Sequence, residues 1–108
     1  ISSDAGGCLP CFDAEGRVSS MDVGHSGALL ETLRALVDGG MPLETALPAF
    51  TANPARLLRL ARKGRVEAGA DADFVALDAT GGAHTVIIRG EIHVREGQAV
   101  RRGTFENR

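Results

Sequence analysis

Thr51-Ala52-Asn53-Pro54-Ala55-Arg56-Leu57-Leu58-Arg59-Leu60-Ala61-Arg62-Lys63-Gly64-Arg65-Val66-Glu67-Ala68-Gly69-Ala70-Asp71-Ala72-Asp73-Phe74-Val75-Ala76-Leu77-Asp78 is the stretch in which the pattern of the chain changes. Its first half is helical. Asn53-Pro54 is a cap followed by a first-turn proline, and the helix it opens is expected to carry Leu57, Leu58 and Leu60. Its second half is extended. Phe74-Val75-Ala76-Leu77 is a continuous apolar run between Asp73 and Asp78, which reads as a strand. The boundary between the two regimes falls near Lys63-Gly64.

Outward from that boundary the same division holds. Upstream, Leu29, Leu30, Leu33, Leu36 and Val37 recur at helical spacing, with Ser26 as a suitable N-cap and Gly39-Gly40 as a stop. Pro42 then starts a second short helix that turns Leu43, Ala46 and Leu47 inward. Downstream, Val86-Ile87-Ile88 is β-branched and Arg89-Gly90-Glu91 is a turn. Ile92-His93-Val94 follows, then a turn at Glu96-Gly97, with short pairings expected at Ala99-Val100 and Thr104-Phe105 and a frayed tail. Residues 1–25 show little periodicity and are expected to form a long loop leaving a strand.

Composition excludes several functions. The chain has 108 residues, 44% of them hydrophobic, which is enough for a buried core. The net charge is -2 and the charges are interspersed, so the basic face of a nucleic-acid binder is missing. Arg62-Lys63-Gly64-Arg65 reads as a solvated turn. No apolar run approaches the ~20 residues of a membrane-spanning helix. Ile1 heads a polar, glycine-rich stretch with no leader and no initiator Met, so the chain is expected to be cut from something longer. The two cysteines are expected to be reduced thiols of a cytoplasmic protein.

Asp4 is the first candidate for chemistry. It follows Ser2-Ser3 and precedes Ala5-Gly6-Gly7. Small neighbours let a ligand approach the backbone, and a carboxylate at a strand end can bind a metal and accept a proton. The competing reading is a turn aspartate bonding its own backbone. Cys8-Leu9-Pro10-Cys11 has the C-x-x-C spacing of a redox pair or half a zinc knuckle. No helix follows to activate the thiol and no further ligands follow closely, so packing or contact at the edge of a site is expected instead. His25, His84 and His93 are dispersed and are expected to be surface residues rather than ligands.

Thr51-Ala52-Asn53-Pro54-Ala55-Arg56, Lys63-Gly64-Arg65-Val66 and Gly69-Ala70-Asp71-Ala72-Asp73-Phe74-Val75-Ala76-Leu77-Asp78 together resemble the C-terminal signature of the amidohydrolase superfamily. Ile1-Ser2-Ser3-Asp4, Cys11-Phe12-Asp13-Ala14-Glu15-Gly16, Glu31-Thr32-Leu33, Ala46-Leu47 and Gly103-Thr104-Phe105-Glu106 narrow the resemblance to its isoaspartyl dipeptidase branch. The resemblance implies an α/β fold. Residues 1–63 would be the C-terminal end of a metal-dependent (β/α)8 barrel, with three helices, and residues 64–108 a small β-sandwich portion. A full barrel takes about 250 residues, so most of it would lie upstream.

The same resemblance assigns roles. Asp4 would ligate one Zn2+ of a binuclear pair and shuttle a proton from the bridging hydroxide to the leaving amine. The remaining ligands, an H-x-H pair, a carboxylated lysine and two further histidines, are upstream in the family and are not in this chain. The family often places a serine four residues past the aspartate, against the substrate carboxylate. Cys8 stands there, a poorer donor. The amides of Gly6, Gly7 and Cys8 are expected to compensate as an anion-binding hollow. The substrate would be a dipeptide linked through the aspartate side chain, the full-length enzyme a homo-oligomer, and this chain alone inactive. The alternatives are a dihydroorotase-like or N-acyl-amino-acid deacetylase-like enzyme, or a non-catalytic β domain.

Overall fold

A computed structural model describes residues 1–103. The pairing expected at Thr104-Phe105 and the tail lie outside the described residues. Contacts divide the chain into two compact units, Ile1–Ala46 and the chain from Leu47 onward. Both mix helix and sheet, so the class is α/β as expected.

The first unit opens with a hairpin where a loop was expected. Strand β1 (Cys8–Phe12) pairs antiparallel with β2 (Val18–Val23). Asp13 closes it: its Oδ1 accepts the amides of Glu15 at 3.0 Å and Arg17 at 2.8 Å, and its carbonyl accepts that of Gly16 at 3.0 Å. Gly16 takes φ +78°, the left-handed step that a short hairpin loop requires. The hairpin escapes a search for strict alternation because the register shifts between Cys11 and Phe12. That bulge puts Val18 opposite Phe12. Cys8, Pro10 and Phe12 then share a face with Val23, Met21 and Val18, and all of them are exposed.

Helix α1 (Ala28–Asp38) forms as its leucine spacing predicts and buries Leu33. Its N-cap is Gly27, not Ser26, and no side chain caps it. Its end is a Schellman stop: Gly40 has φ +96°, its amide bonds the carbonyl of Val37 at 2.9 Å, and the Met41 amide bonds that of Leu36 at 3.0 Å. Helix α2 (Leu43–Ala46) follows Pro42 as expected and buries Ala46, but Leu43, expected to turn inward, is exposed.

The second unit begins with one 3₁₀ turn, Leu47–Ala49, and helix α3 (Ala52–Leu57). Thr51 is its N-cap position, so Asn53-Pro54 lies inside the first turn, where proline's missing donor costs no helical bond. The helix stops before Leu58 and Leu60. Arg59 takes φ +56°, and the Leu60 amide folds back to the carbonyl of Ala55 at 2.8 Å. The leucine spacing outran the helix because an arginine fills the left-handed position usually held by glycine. Leu57 and Leu58 are accordingly exposed.

Strands β3 (Phe74–Leu77), β4 (Ala83–Ile88), β5 (Glu91–Arg95) and β6 (Gln98–Ala99) form an antiparallel meander in chain order. Arg89 and Gly90 (φ +51° and +84°), then Glu96 and Gly97 (φ +51° and +73°), make the two tight turns read from the sequence. The acidic segment before β3 ties this sheet to the end of the helical stretch. Asp71 accepts Arg62 Nε at 2.8 Å and Lys63 Nζ at 2.9 Å. Asp73 accepts Lys63 Nζ with one oxygen and the Arg89 amide, at 2.8 Å, with the other. Hydrogen bonds from Lys63 hold both carboxyls below the usual carboxylate range, and the same bonds, Asp73's first, raise the Lys63 ammonium.

Candidate active site

Asp4 sits on a built corner of the first unit. Its carbonyl accepts the Gly7 amide at 2.9 Å, and Gly6, at φ +83°, supplies the positive φ that a type II turn requires at its third residue. Asp4 itself has φ +49°, a region aspartate tolerates better than most residues at a cost of about 1 kcal/mol. The Ser2 hydroxyl accepts the Asp4 amide and the Ser3 hydroxyl accepts that of Ala5, both at 3.3 Å. The carboxylate is exposed and receives no hydrogen bond from the described residues. It is folded over Gly7, where a Cβ would lie 2.6 Å from Oδ2 and 2.8 Å from Oδ1. What Gly7 contributes is therefore room.

The far end of the hairpin fastens this corner. Gly24, just past β2, donates its amide to the Gly7 carbonyl at 2.9 Å and accepts the Gly6 amide at 2.8 Å. The expected anion hollow is thus altered: the amides of Gly6 and Gly7 are spent on Gly24 and Asp4. Ladder alternation leaves Cys8 in an outward row with Pro10, which has no amide to lose. Gly24 is buried and was not singled out in the sequence. A glycine closing the run Val18-Ser19-Ser20-Met21-Asp22-Val23 is the signal that could have found it.

Cys8 and Cys11 are both free and exposed. Three positions apart on one strand, they project to opposite faces, so the C-x-x-C spacing forms no redox pair here. His25 lies over the start of α1, with Nε2 3.8 Å from Glu31 Oε2. His84 and His93 belong to β4 and β5 of the second unit. Among the described residues no group of three or more His, Cys, Asp and Glu side chains is placed to hold a metal ion. Asp4 alone offers one carboxylate toward the four ligands a zinc site takes. The residues present do not make up a zinc centre.

A cavity of about 500 Å³ in the second unit is lined by Ala52, Ala55, Arg56, Arg59, Lys63 and Arg65, among others. It contains none of the predicted site residues. Lys63 is committed to Asp71 and Asp73, and Arg65 to Glu67.

This corner, the hairpin and the first strands of the downstream meander, β3 and β4, lie within a stretch that matches a known family: residues 1–93 fit the amidohydrolase family, and the chain belongs to it. Over 96% of its length the chain is similar to the β-aspartyl dipeptidase of Fervidobacterium islandicum AW-1 solved with β-Asp-Leu, at 37% identity and a TM-score of 0.83. In sequence, 54 residues are 46% identical to the N-acetylglucosamine-6-phosphate deacetylase of Rattus norvegicus. The deacetylase of Pasteurella multocida shares the fold, with a TM-score of 0.59 at 20% identity. The chain spans 13% of the rat deacetylase and 27% of the Fervidobacterium dipeptidase. No described helix is long and apolar enough to cross a membrane.

Proposed function

We propose that this chain is the C-terminal part of a zinc-dependent amidohydrolase that cleaves β-aspartyl dipeptides, with Asp4 as its catalytic carboxylate. The observation that carries the reading is the likeness to a β-aspartyl dipeptidase over 96% of the chain. Residues 1–63 would close the barrel and residues 64–108 would complete the small β-sandwich. That boundary follows the change from helix to strand, whereas contacts alone divide the chain at Ala46-Leu47. The full-length enzyme would be a cytoplasmic homo-oligomer acting on a small dipeptide, with neither nucleic acid nor membrane as partner.

Asp4 suits general base and acid work. Its exposed carboxylate takes a proton from water as the water oxygen bonds to the amide carbon. It returns that proton to the departing nitrogen as the C–N bond breaks, so one proton passes through one side chain. Gly7 leaves room for the carboxylate itself to fold over the backbone, and Cys8, next along the strand, would face the substrate carboxylate.

The test is Asp4→Asn in the complete enzyme, assayed on β-Asp-Leu. A loss in kcat of about 10²–10⁴-fold is expected for removal of a general base. Activity within threefold of wild type overturns the assignment. The 46% identity to the deacetylase supports a second reading, hydrolysis of an N-acetyl sugar phosphate. Turnover of N-acetylglucosamine-6-phosphate but not of β-Asp-Leu would establish that reading in place of the first.

A further inference from the structure

Gly24 is set apart from the other glycines of the first unit by what surrounds it. It has none of the positive φ values that explain Gly6, Gly16 and Gly40. Its need is for space. A Cβ there would stand 2.2 Å from the Asp4 carbonyl oxygen, 3.0 Å from the Asp4 carbonyl carbon and 3.3 Å from the Ser3 carbonyl oxygen. All three are backbone atoms, which cannot swing aside as the tip of a side chain can. Gly24 is also buried, and both of its own backbone groups are bonded into the turn that begins at Asp4. The Asp4 peptide therefore rests directly on the Gly24 backbone, with the hydrogen bonds to Gly6 and Gly7 on either side.

We propose that Gly24 is the positioning residue for Asp4: the absence of a side chain at the end of β2 fixes where the Asp4 peptide, and through it the carboxylate, stands. This rests on the reading of Asp4 as the catalytic carboxylate. A methyl group at position 24 must drive the Asp4 peptide outward by about 1 Å to reach ordinary contact, and misplacement on that scale costs on the order of 100-fold in rate. The left-handed backbone of Asp4 gives the displaced peptide few other places to settle. Gly16, at the hairpin tip, provides the contrast. It has a positive φ but nothing within 4 Å of its Cβ position, so Gly16→Ala strains the same hairpin without touching Asp4.

The experiment is a double-mutant cycle in the complete enzyme, assayed on β-Asp-Leu. Gly24→Ala is expected to lower kcat about 100-fold, with KM changed less than threefold, and Gly16→Ala to leave kcat within threefold. In an Asp4→Asn background, Gly24→Ala should cost nothing further, because the group it misplaces is already lost. A purely structural role would lower kcat equally in both backgrounds and overturns the proposal, as does a harmless Gly24→Ala. If Asp4→Asn is itself harmless, the catalytic reading fails first and by a separate measurement. Should Gly24→Ala not fold, hydrogen exchange on the wild-type enzyme decides. Gly6 and Gly24 amides exchanging together, well below the rate of Glu15 and Gly16, support the proposal, and exchange as fast as that tip refutes it.

Discussion

Replacing Gly64 by alanine sets two costs on one residue, and the structure allows them to be separated. Gly64 has φ +79°, so any side chain there meets the left-handed penalty of about 1–2 kcal/mol. Its Cβ would also lie 2.6 Å from the Thr51 carbonyl oxygen and 2.7 Å from Ala55 Cβ. The Thr51 oxygen accepts the Ala55 amide at 3.2 Å in the first turn of α3, so it cannot retreat without loosening that turn. Overpacking of this kind costs about 1–3 kcal/mol. The total, about 2–5 kcal/mol, is a large share of the roughly 5–15 kcal/mol that holds a domain folded. Gly69 is the matched control. It has φ +90° but nothing within 4 Å of its Cβ position, so Gly69→Ala should cost only the backbone part. Urea unfolding of both variants, followed by circular dichroism, reads the difference. At a slope of about 2 kcal/mol per molar, Gly64→Ala moves the midpoint down by about 1–2.5 M and Gly69→Ala by about 0.5–1 M. Equal shifts would show that the Gly64 contact with α3 carries no steric load.

Other outcomes follow from the same geometry. The Asp71 and Asp73 carboxyls are depressed below 3.8, so the stability they lend is present above pH 3.8 and is lost as pH falls through their folded values. Lys63 is raised above 10.5, so its share is present below pH 10.5 and is lost as pH climbs through its folded value. Tm should be level between those limits, and Asp73→Asn should flatten the acid-side fall; an unchanged fall would assign acid sensitivity to other groups. Cys8→Ser restores the hydroxyl common in the dipeptidase branch. A better hydrogen-bond donor, at about 0.5–1.5 kcal/mol, should lower KM for β-Asp-Leu about 2–10-fold, and an unchanged KM removes Cys8 from the substrate contact. Thiol titration should find Cys8 and Cys11 both reactive after mild oxidation, and a disulfide between them would mean that β1 had opened.

Much of the fold was legible because its local signals agree with its packing. Arg89-Gly90 lies between the β-branched runs Val86-Ile87-Ile88 and Ile92-His93-Val94, Glu96-Gly97 follows the second of them, and both are tight turns. Leu29, Leu30, Leu33 and Leu36 give α1, and Gly39-Gly40 ends it. Legibility failed where one residue broke a period. The bulge near Phe12 spoiled the alternation of the hairpin, and Arg59 in a left-handed backbone cut α3 short of its leucine pattern. Ser26 had the chemistry of a cap but not the place, since Gly27 starts the helix and His25 folds over it. The setting of Asp4 was hidden for a different reason. It depends on Gly24, across the whole hairpin, and no window of local sequence joins the two.

The acidic residues differ in what their partners leave free. Asp13 and Asp78 accept nearby backbone amides and build turns. Asp71 and Asp73, the residues that make the family pattern recognisable, are occupied by Arg62, Lys63 and the Arg89 amide, so they hold the sheet to the helical segment. Their partners make them legible, and the same partners remove them from chemistry. Asp4 has the opposite character: its backbone is gripped by Gly7 and Gly24 while its carboxylate is left open above a glycine. A gripped backbone under an ungripped carboxylate is what a proton-transferring residue needs, because the carboxylate must be placed and yet free to change partners. That combination leaves a weak trace in sequence, an Asp before glycines, which is also how an ordinary turn is written. The acids with fixed partners therefore carry the pattern by which the family is recognised, and that resemblance is what directs attention to Asp4.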